Sequence, residues 1–116
     1  MSTRLEEQFR LLCLAHGLPE PEPQVRFHPK RRFRLDWAWP EHQVGVEVQG
    51  GTWVPGLGHS SGAGIRRDAE KLNWAHSVGW RVYLVTADML REGAPELMQM
   101  LRWELGIEEG HSGTGR

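Results

Sequence analysis

Two short stretches of strict two-residue alternation constrain this chain more than any other feature. Residues 32–39 place Phe33, Leu35, Trp37 and Trp39 on one side and Arg34, Asp36 and Ala38 on the other. That is the period of a half-buried strand. Residues 44–49 repeat it, with Val44, Val46 and Val48 opposite Gly45, Glu47 and Gln49. The short turn Pro40-Glu41-His42 joins the two, so they should pair as neighbours. Each strand then carries an acid among valines and tryptophans, which is costly unless the acid is paired or coordinated. Two fates are open to Asp36 and Glu47. They face solvent or neutralise Arg34 and Lys30, or they converge with Gln49 on a common ligand.

The remaining chain supplies the frame for this pair. Residues 3–16 read as a helix, with Thr3 and Glu6 as a capping box and Leu5, Phe9, Leu12 and His16 on one stripe. Gly17 is its stop. Prolines at 19, 21 and 23 demand extended chain, residues 24–28 suggest a first strand, and Pro29-Lys30-Arg31 a turn. After the paired strands comes a glycine-rich loop over residues 50–64, a length often associated with function. A second helix is expected over 65–77, with Ile65, Ala69, Leu72 and Ala75 as its apolar stripe and Gly79 past its end. Residues 80–85 read as a buried strand, and Pro95 opens a last helix running to Leu105. The order is α-β-β-β-α-β-α, a three-strand meander with a helical crossover to a fourth strand. The fold class expected is α/β: a mixed central sheet flanked by helices, with an added C-terminal helix. Residues 1–106 form one domain, and 107–116 a disordered tail with nothing to bury.

The chain's 116 residues suffice for one modest core. Cys13 is the single cysteine, which excludes an internal disulfide and a thiolate metal cluster. No apolar run approaches the roughly 20 residues that span a bilayer, and the N-terminus lacks the apolar centre of a signal peptide. A cytoplasmic protein without membrane contact is therefore expected. The net charge of −1 carries no nucleic-acid signal, but its distribution does. Arg26, Lys30, Arg31, Arg32 and Arg34, joined by His28, form a run without a single acid. Such a run is either a solvated hairpin turn or an edge that contacts phosphate.

Two carboxylates beside an amide oxygen suit Mg²⁺, with Mn²⁺ as substitute, because both ions prefer oxygen ligands. Such an ion can polarise a phosphodiester and activate water. Rival chemistries lack their parts: there is no suitably placed Cys–His pair, no Gly-rich phosphate loop with its lysine, and no HExxH.

Taken together, Arg34-Leu-Asp36-Trp-Ala-Trp-Pro40, Val46-Glu47-Val48-Gln49-Gly50-Gly51, Arg67-Asp68-Ala-Glu-Lys71 and Gly79-Trp80 resemble the PD-(D/E)XK nuclease superfamily. The nearest subgroup in appearance is the small phage and bacterial VRR-NUC and very-short-patch-repair type, related to archaeal-type Holliday junction resolvases. The resemblance spans roughly residues 3–86 and implies an αβββαβ restriction-endonuclease-like core. It also implies Asp36 and Glu47 as metal ligands, with the Val48 carbonyl as a third.

One position departs from the family. Gln49 stands where most members hold a catalytic lysine. An amide orients water or a phosphate oxygen but supplies no positive charge, so either the charge comes from elsewhere or the copy is inactive. Lys71, at the border of the second helix's apolar stripe, is the substitute expected, or else an ordinary solvent lysine. Asp68 falls within the apolar arc, and either pairs with an arginine or supports the metal site. The family's helix-one acid maps to Glu6, although Glu6 also serves the capping box and Glu7 lies on the opposite border. His59 in the glycine-rich loop can meet phosphate or water, Arg66 and Asn73 can extend the basic surface, and Trp53 can stack on nucleic acid.

The expected function is thus a metal-dependent DNA endonuclease, a homodimeric Holliday junction resolvase serving recombination and repair. Catalysis is assigned to Glu6, Asp36, Glu47, Gln49 and Lys71. DNA contact is assigned to Arg26, Lys30, Arg31, Arg32, Arg34, His59 and Arg66. The alternatives are a mismatch or nicking endonuclease, a nuclease fold that only binds DNA, and an interaction domain whose acids form salt bridges.

Overall fold

The computed structural model describes residues 4–49 and 62–107. Thr3, Trp53, His59 and residues 108–116 of the expected tail lie outside the described residues, whereas Ile107, expected to begin that tail, packs against the core. Helix α1 (Arg4–Ala15) is followed by strands β1 (Glu22–Arg26), β2 (Arg34–Trp39) and β3 (Val44–Gln49). Helix α2 (Gly62–Ser77), strand β4 (Arg81–Thr86), α3 (Ala87–Arg91) and α4 (Pro95–Glu104) complete the order. The four strands form one sheet in the order β1-β2-β3-β4. The first two pairings are antiparallel, and β3 pairs with β4 in parallel after the crossover through α2. This is the meander and crossover expected from the sequence.

Helices cover both faces. On one, Phe9 and Cys13 of α1, Leu90 of α3, and Leu97, Met98 and Leu101 of α4 pack against Trp37, Trp39, Val44, Val46 and Val85. Both indole N–H groups of β2 find partners there. Trp37 Nε1 donates to the Glu6 carbonyl at 3.1 Å and Trp39 Nε1 to the Pro19 carbonyl at 2.8 Å. Each such bond nets about 1 kcal/mol, but a buried N–H left without one costs about 1–3 kcal/mol. On the other face, Ala75 of α2 packs with Phe27, Leu35, Ala38 and Trp80. Gly17 and Gly79 end α1 and α2 at φ +78° and +89°, a left-handed conformation in which a side chain is disfavoured.

Four expectations need correction. First, β2 does not keep one alternation. Leu35 joins Ala38 on the α2 face, while Trp37 and Trp39 face α1. The phase change falls at Asp36. At the same level of β1, between the pairs Pro23↔Trp37 and Val25↔Leu35, Gln24 adopts φ +51°. Gly45 on β3 leaves room for Leu35, since a Cβ there would lie 2.4 Å from Leu35 Cδ1. Second, β1 begins at Glu22 rather than 24 and contains Pro23. An edge strand tolerates a missing N–H. Third, α2 begins at Gly62, before the residue 65 expected, and its first turns do not pack on the sheet. Ile65 is 58% exposed and Ala69 is exposed too, so only Leu72 and Ala75 of the expected stripe reach the interior. Fourth, α3 was not expected. Thr86 caps it, its hydroxyl accepting the Met89 N–H at 3.2 Å.

Candidate active site

The register between β2 and β3 runs Trp39↔Val44, Ala38↔Gly45, Trp37↔Val46 and then stops. Beyond it, carboxylates take over the bonds that main-chain carbonyls accept in a regular ladder. The Asp36 N–H donates to Glu47 Oε2 at 2.7 Å, and the Val48 N–H donates to Asp36 Oδ2 at 2.7 Å. Each acid is thereby pinned by the backbone of the other strand. Such charge-assisted bonds are short and strong, and they leave no orphaned N–H where the ladder ends.

The second oxygen of Glu47 is held from the opposite layer. Lys71 Nζ of α2 donates to Glu47 Oε1, and the two side chains are only 16% and 12% exposed. Burial pushes the Glu47 carboxyl above its ordinary value. The charge of Asp36 raises it further, while Lys71 and the Asp36 N–H oppose the rise. A shallow pocket beside this pair is bounded by Glu47, Gln49, Asp68, Lys71, Leu72 and Leu84.

The donor set fits a small divalent cation. Two carboxylates are held close together in a half-dry site where their mutual repulsion is felt, and a cation relieves that repulsion. Among the described residues, no third Asp, Glu, His or Cys completes a cluster with them. An ion held here would fill the rest of its shell with water, as Mg²⁺ commonly does.

Of the residues expected to act, Asp36, Glu47 and Lys71 meet directly, and Gln49 borders the same pocket. Lys71 is no solvent lysine. Glu6 stands half-buried on α1, the helix on the other face of the sheet, and is not among the residues bounding that pocket. Glu7 is committed elsewhere. It accepts from Arg10 at 2.5 Å, and this bond lowers its pKa. Asp68 is exposed at the pocket's rim.

The basic run is an ordered turn. His28 Nδ1 accepts the Lys30 and Arg31 N–H groups at 3.0 and 3.1 Å, and Arg26 donates to the Arg31 carbonyl at 3.3 Å. Lys30 and Arg32 are exposed, and Arg26 lies directly across the sheet from Arg34. Arg66 pairs with Glu70 at 3.2 Å while 80% exposed. Sequence reasoning passed over Arg67, whose guanidinium lies 5.2 Å from the Phe33 ring centroid. It stands four residues before Lys71 and so on the same helical flank, a signal present in the sequence.

The mixed four-stranded sheet, its flanking helices and the acids at the parting of β2 and β3 define a restriction-endonuclease-like α/β fold with the αβββαβ core. The homing endonuclease I-Bth0305I catalytic domain shares it, with a TM-score of 0.60 over 93% of this chain and 100% of that one, at 18% sequence identity. Over 91 residues, 75% of the chain, the sequence is 32% identical to an uncharacterized protein of Mycobacterium tuberculosis in two strains, CDC 1551 / Oshkosh and ATCC 25618 / H37Rv. The matched part is 31% of the length of those relatives. No family model matches the chain. Among the described residues, no helix is long and apolar enough to cross a membrane.

Proposed function

We propose that this chain is a Mg²⁺-dependent endonuclease that hydrolyses DNA phosphodiesters at Asp36 and Glu47. The observation carrying this reading is the interlock of the two acids at the point where β2 and β3 part, with Lys71 reaching Glu47 from α2. A salt bridge that merely tied helix to sheet would need one acid. Here two are fixed side by side by backbone donors, despite the cost that Asp36 adds to the charge on Glu47.

In this reading Asp36, Glu47 and the Val48 carbonyl would hold the ion, which would supply Lewis-acid chemistry to the phosphodiester and an attacking water. Lys71 fixes the rotamer of Glu47 and places a positive charge beside the site, the charge that Gln49 cannot provide. Gln49 orients a water or phosphate oxygen by hydrogen bonding. Glu6 is assigned a supporting role from α1, and His59 a contact to phosphate or water. Arg26, Lys30, Arg31, Arg32, Arg34 and Arg66 hold backbone phosphate.

The finer proposal for substrate is a four-way junction cut by a cytoplasmic homodimer, since a symmetric pair of sites suits two symmetric cuts. A second reading, a mismatch or nicking endonuclease, draws support from the structural match to a homing endonuclease catalytic domain, which is not a junction resolvase by its name. The deciding experiment incubates the protein with a labelled junction, a duplex and a single strand, with Mg²⁺ and with chelator. Cutting that needs Mg²⁺ and disappears in Asp36→Asn is expected. Metal-independent cutting, or full activity in Asp36→Asn, would remove the assignment. Equal nicking of duplex and junction by a monomer would end the resolvase reading alone.

A further inference from the structure

The flank of α2 that carries Lys71 continues as a line of cations in both directions. One turn toward the N-terminus is Arg67, exposed, with its guanidinium over Phe33. One turn toward the C-terminus is Trp74. Arg31 of the β1–β2 connection lies over that ring, 4.2 Å from its centroid, and His28 meets the ring edge-on at 5.1 Å. Residues 67, 71 and 74 share one helical flank because they are spaced by four and three. Their axial span is about 10 Å at 1.5 Å per residue.

Each of the two aromatic rings has a guanidinium over it. What they do is hold Arg67 and Arg31 in place before any ligand arrives, with N–H edges available for bidentate contact to phosphate. Arg26 and Arg34 add a further constraint. Both are exposed and sit directly opposite each other across β1 and β2. Like charges so placed are unfavourable without an anion between or above them.

Building on the nuclease reading, we infer that the backbone of the cleaved strand lies along this flank. The scissile phosphate is centred at Lys71, its neighbours on either side are held by Arg67 and Arg31, and no base is read. The partner is a phosphodiester backbone recognised by charge and spacing.

The test uses Asp36→Asn protein, which should bind without cutting, and measures anisotropy of labelled duplex and junction across a salt series. Arg67→Gln and Arg31→Gln are each expected to weaken binding about 10-fold. Each should also lower the slope of log K against log salt by about one unit, the signature of one lost phosphate contact. Arg67→Lys should keep the slope. Arg91→Gln, on α3 across the sheet, should change neither quantity, and thermal melts report whether each variant is folded. A purely structural role for Arg67 would lower the melting temperature and leave the slope intact, which would overturn the inference. So would loss of affinity for one sequence only. If wild-type protein cuts with Mg²⁺ while Arg67→Gln binds normally, only the track is lost. If the parent binds no DNA at any salt, the nuclease reading falls and the track with it.

Discussion

Glu47 is the residue on which stability and, in the proposed function, activity both turn. Its carboxyl is pushed up by burial, with Lys71 the main opposing influence. A carboxyl whose pKa is higher in the folded than in the unfolded state favours folding most at acid pH. That contribution is lost as pH rises through the folded value. Lys71→Met removes the counter-charge, so it should raise the Glu47 value further and steepen this loss. At neutral pH it should cost roughly 3 kcal/mol, the scale of a buried charge left without its partner. Urea unfolding at several pH values measures this, and a pH-independent difference between the two proteins would contradict it. Because a metal ligand must be ionised, the acid limb of the single-turnover rate should move to higher pH in Lys71→Met. The plateau should fall at least ~10²-fold. A wild-type rate and limb would show that the positive charge beside the site is supplied by another group. Glu47→Gln should abolish turnover while DNA binding persists, since removing an acid lessens repulsion of phosphate.

At the scale of elements, the site depends on β2 changing phase. The strand buries Leu35 on one face and Trp37 on the other, and Asp36 sits at the change, where its N–H and carboxylate both turn to β3. Gly45 makes this packing feasible by leaving its position above the sheet to Leu35. Gly45→Ala should therefore destabilise by about 1–3 kcal/mol, the usual cost of overpacking. Combined with Leu35→Ala it should cost clearly less than the sum of the two single changes. Additive losses in a denaturant series would mean that the two residues do not compete for the same space. α2 shows a different division. Its second half packs on the sheet, while its exposed first half carries Arg67 and Asp68 beyond the sheet's cover.

For the whole molecule, charge placement matters more than total charge. A chain of net charge −1 gathers eight of its 14 lysines and arginines on β1, β2 and their connection and on α2. Neutralising Arg31 and Arg32 together should weaken binding to all DNA sequences alike and shallow the salt dependence by about two units. A loss confined to one sequence would point to base reading instead. Away from α2, Leu11 and Leu14 on α1 and Met100 on α4 are exposed apolar residues. If the proposed homodimer forms, light scattering should give twice the chain mass. A monomer at working concentration would leave the paired-cut proposal without its symmetry.

Much of this was legible in the sequence because it depends on local period and spacing. The alternation of residues 44–49 survives in the structure, with the valines toward α1 and Glu47 toward α2. Strand neighbours, crossover and the stops at Gly17 and Gly79 follow from turn length and glycine chemistry, which operate over a few residues. Asp36 and Glu47 stood out because an acid in an apolar strand needs a reason. Tertiary structure decided the rest. The phase change in β2 arises where three strands meet, involving Gln24 and Gly45 as much as Asp36, and no alternation count contains it. The stripe of α2 looked continuous from Ile65 to Ala75, yet helical period says nothing about where the sheet beneath ends. Lys71 had two equal readings in the sequence. Only the packing of α2 on the sheet brought its ammonium to Glu47, because a contact across 24 residues is set by how layers stack and not by the spacing of either partner.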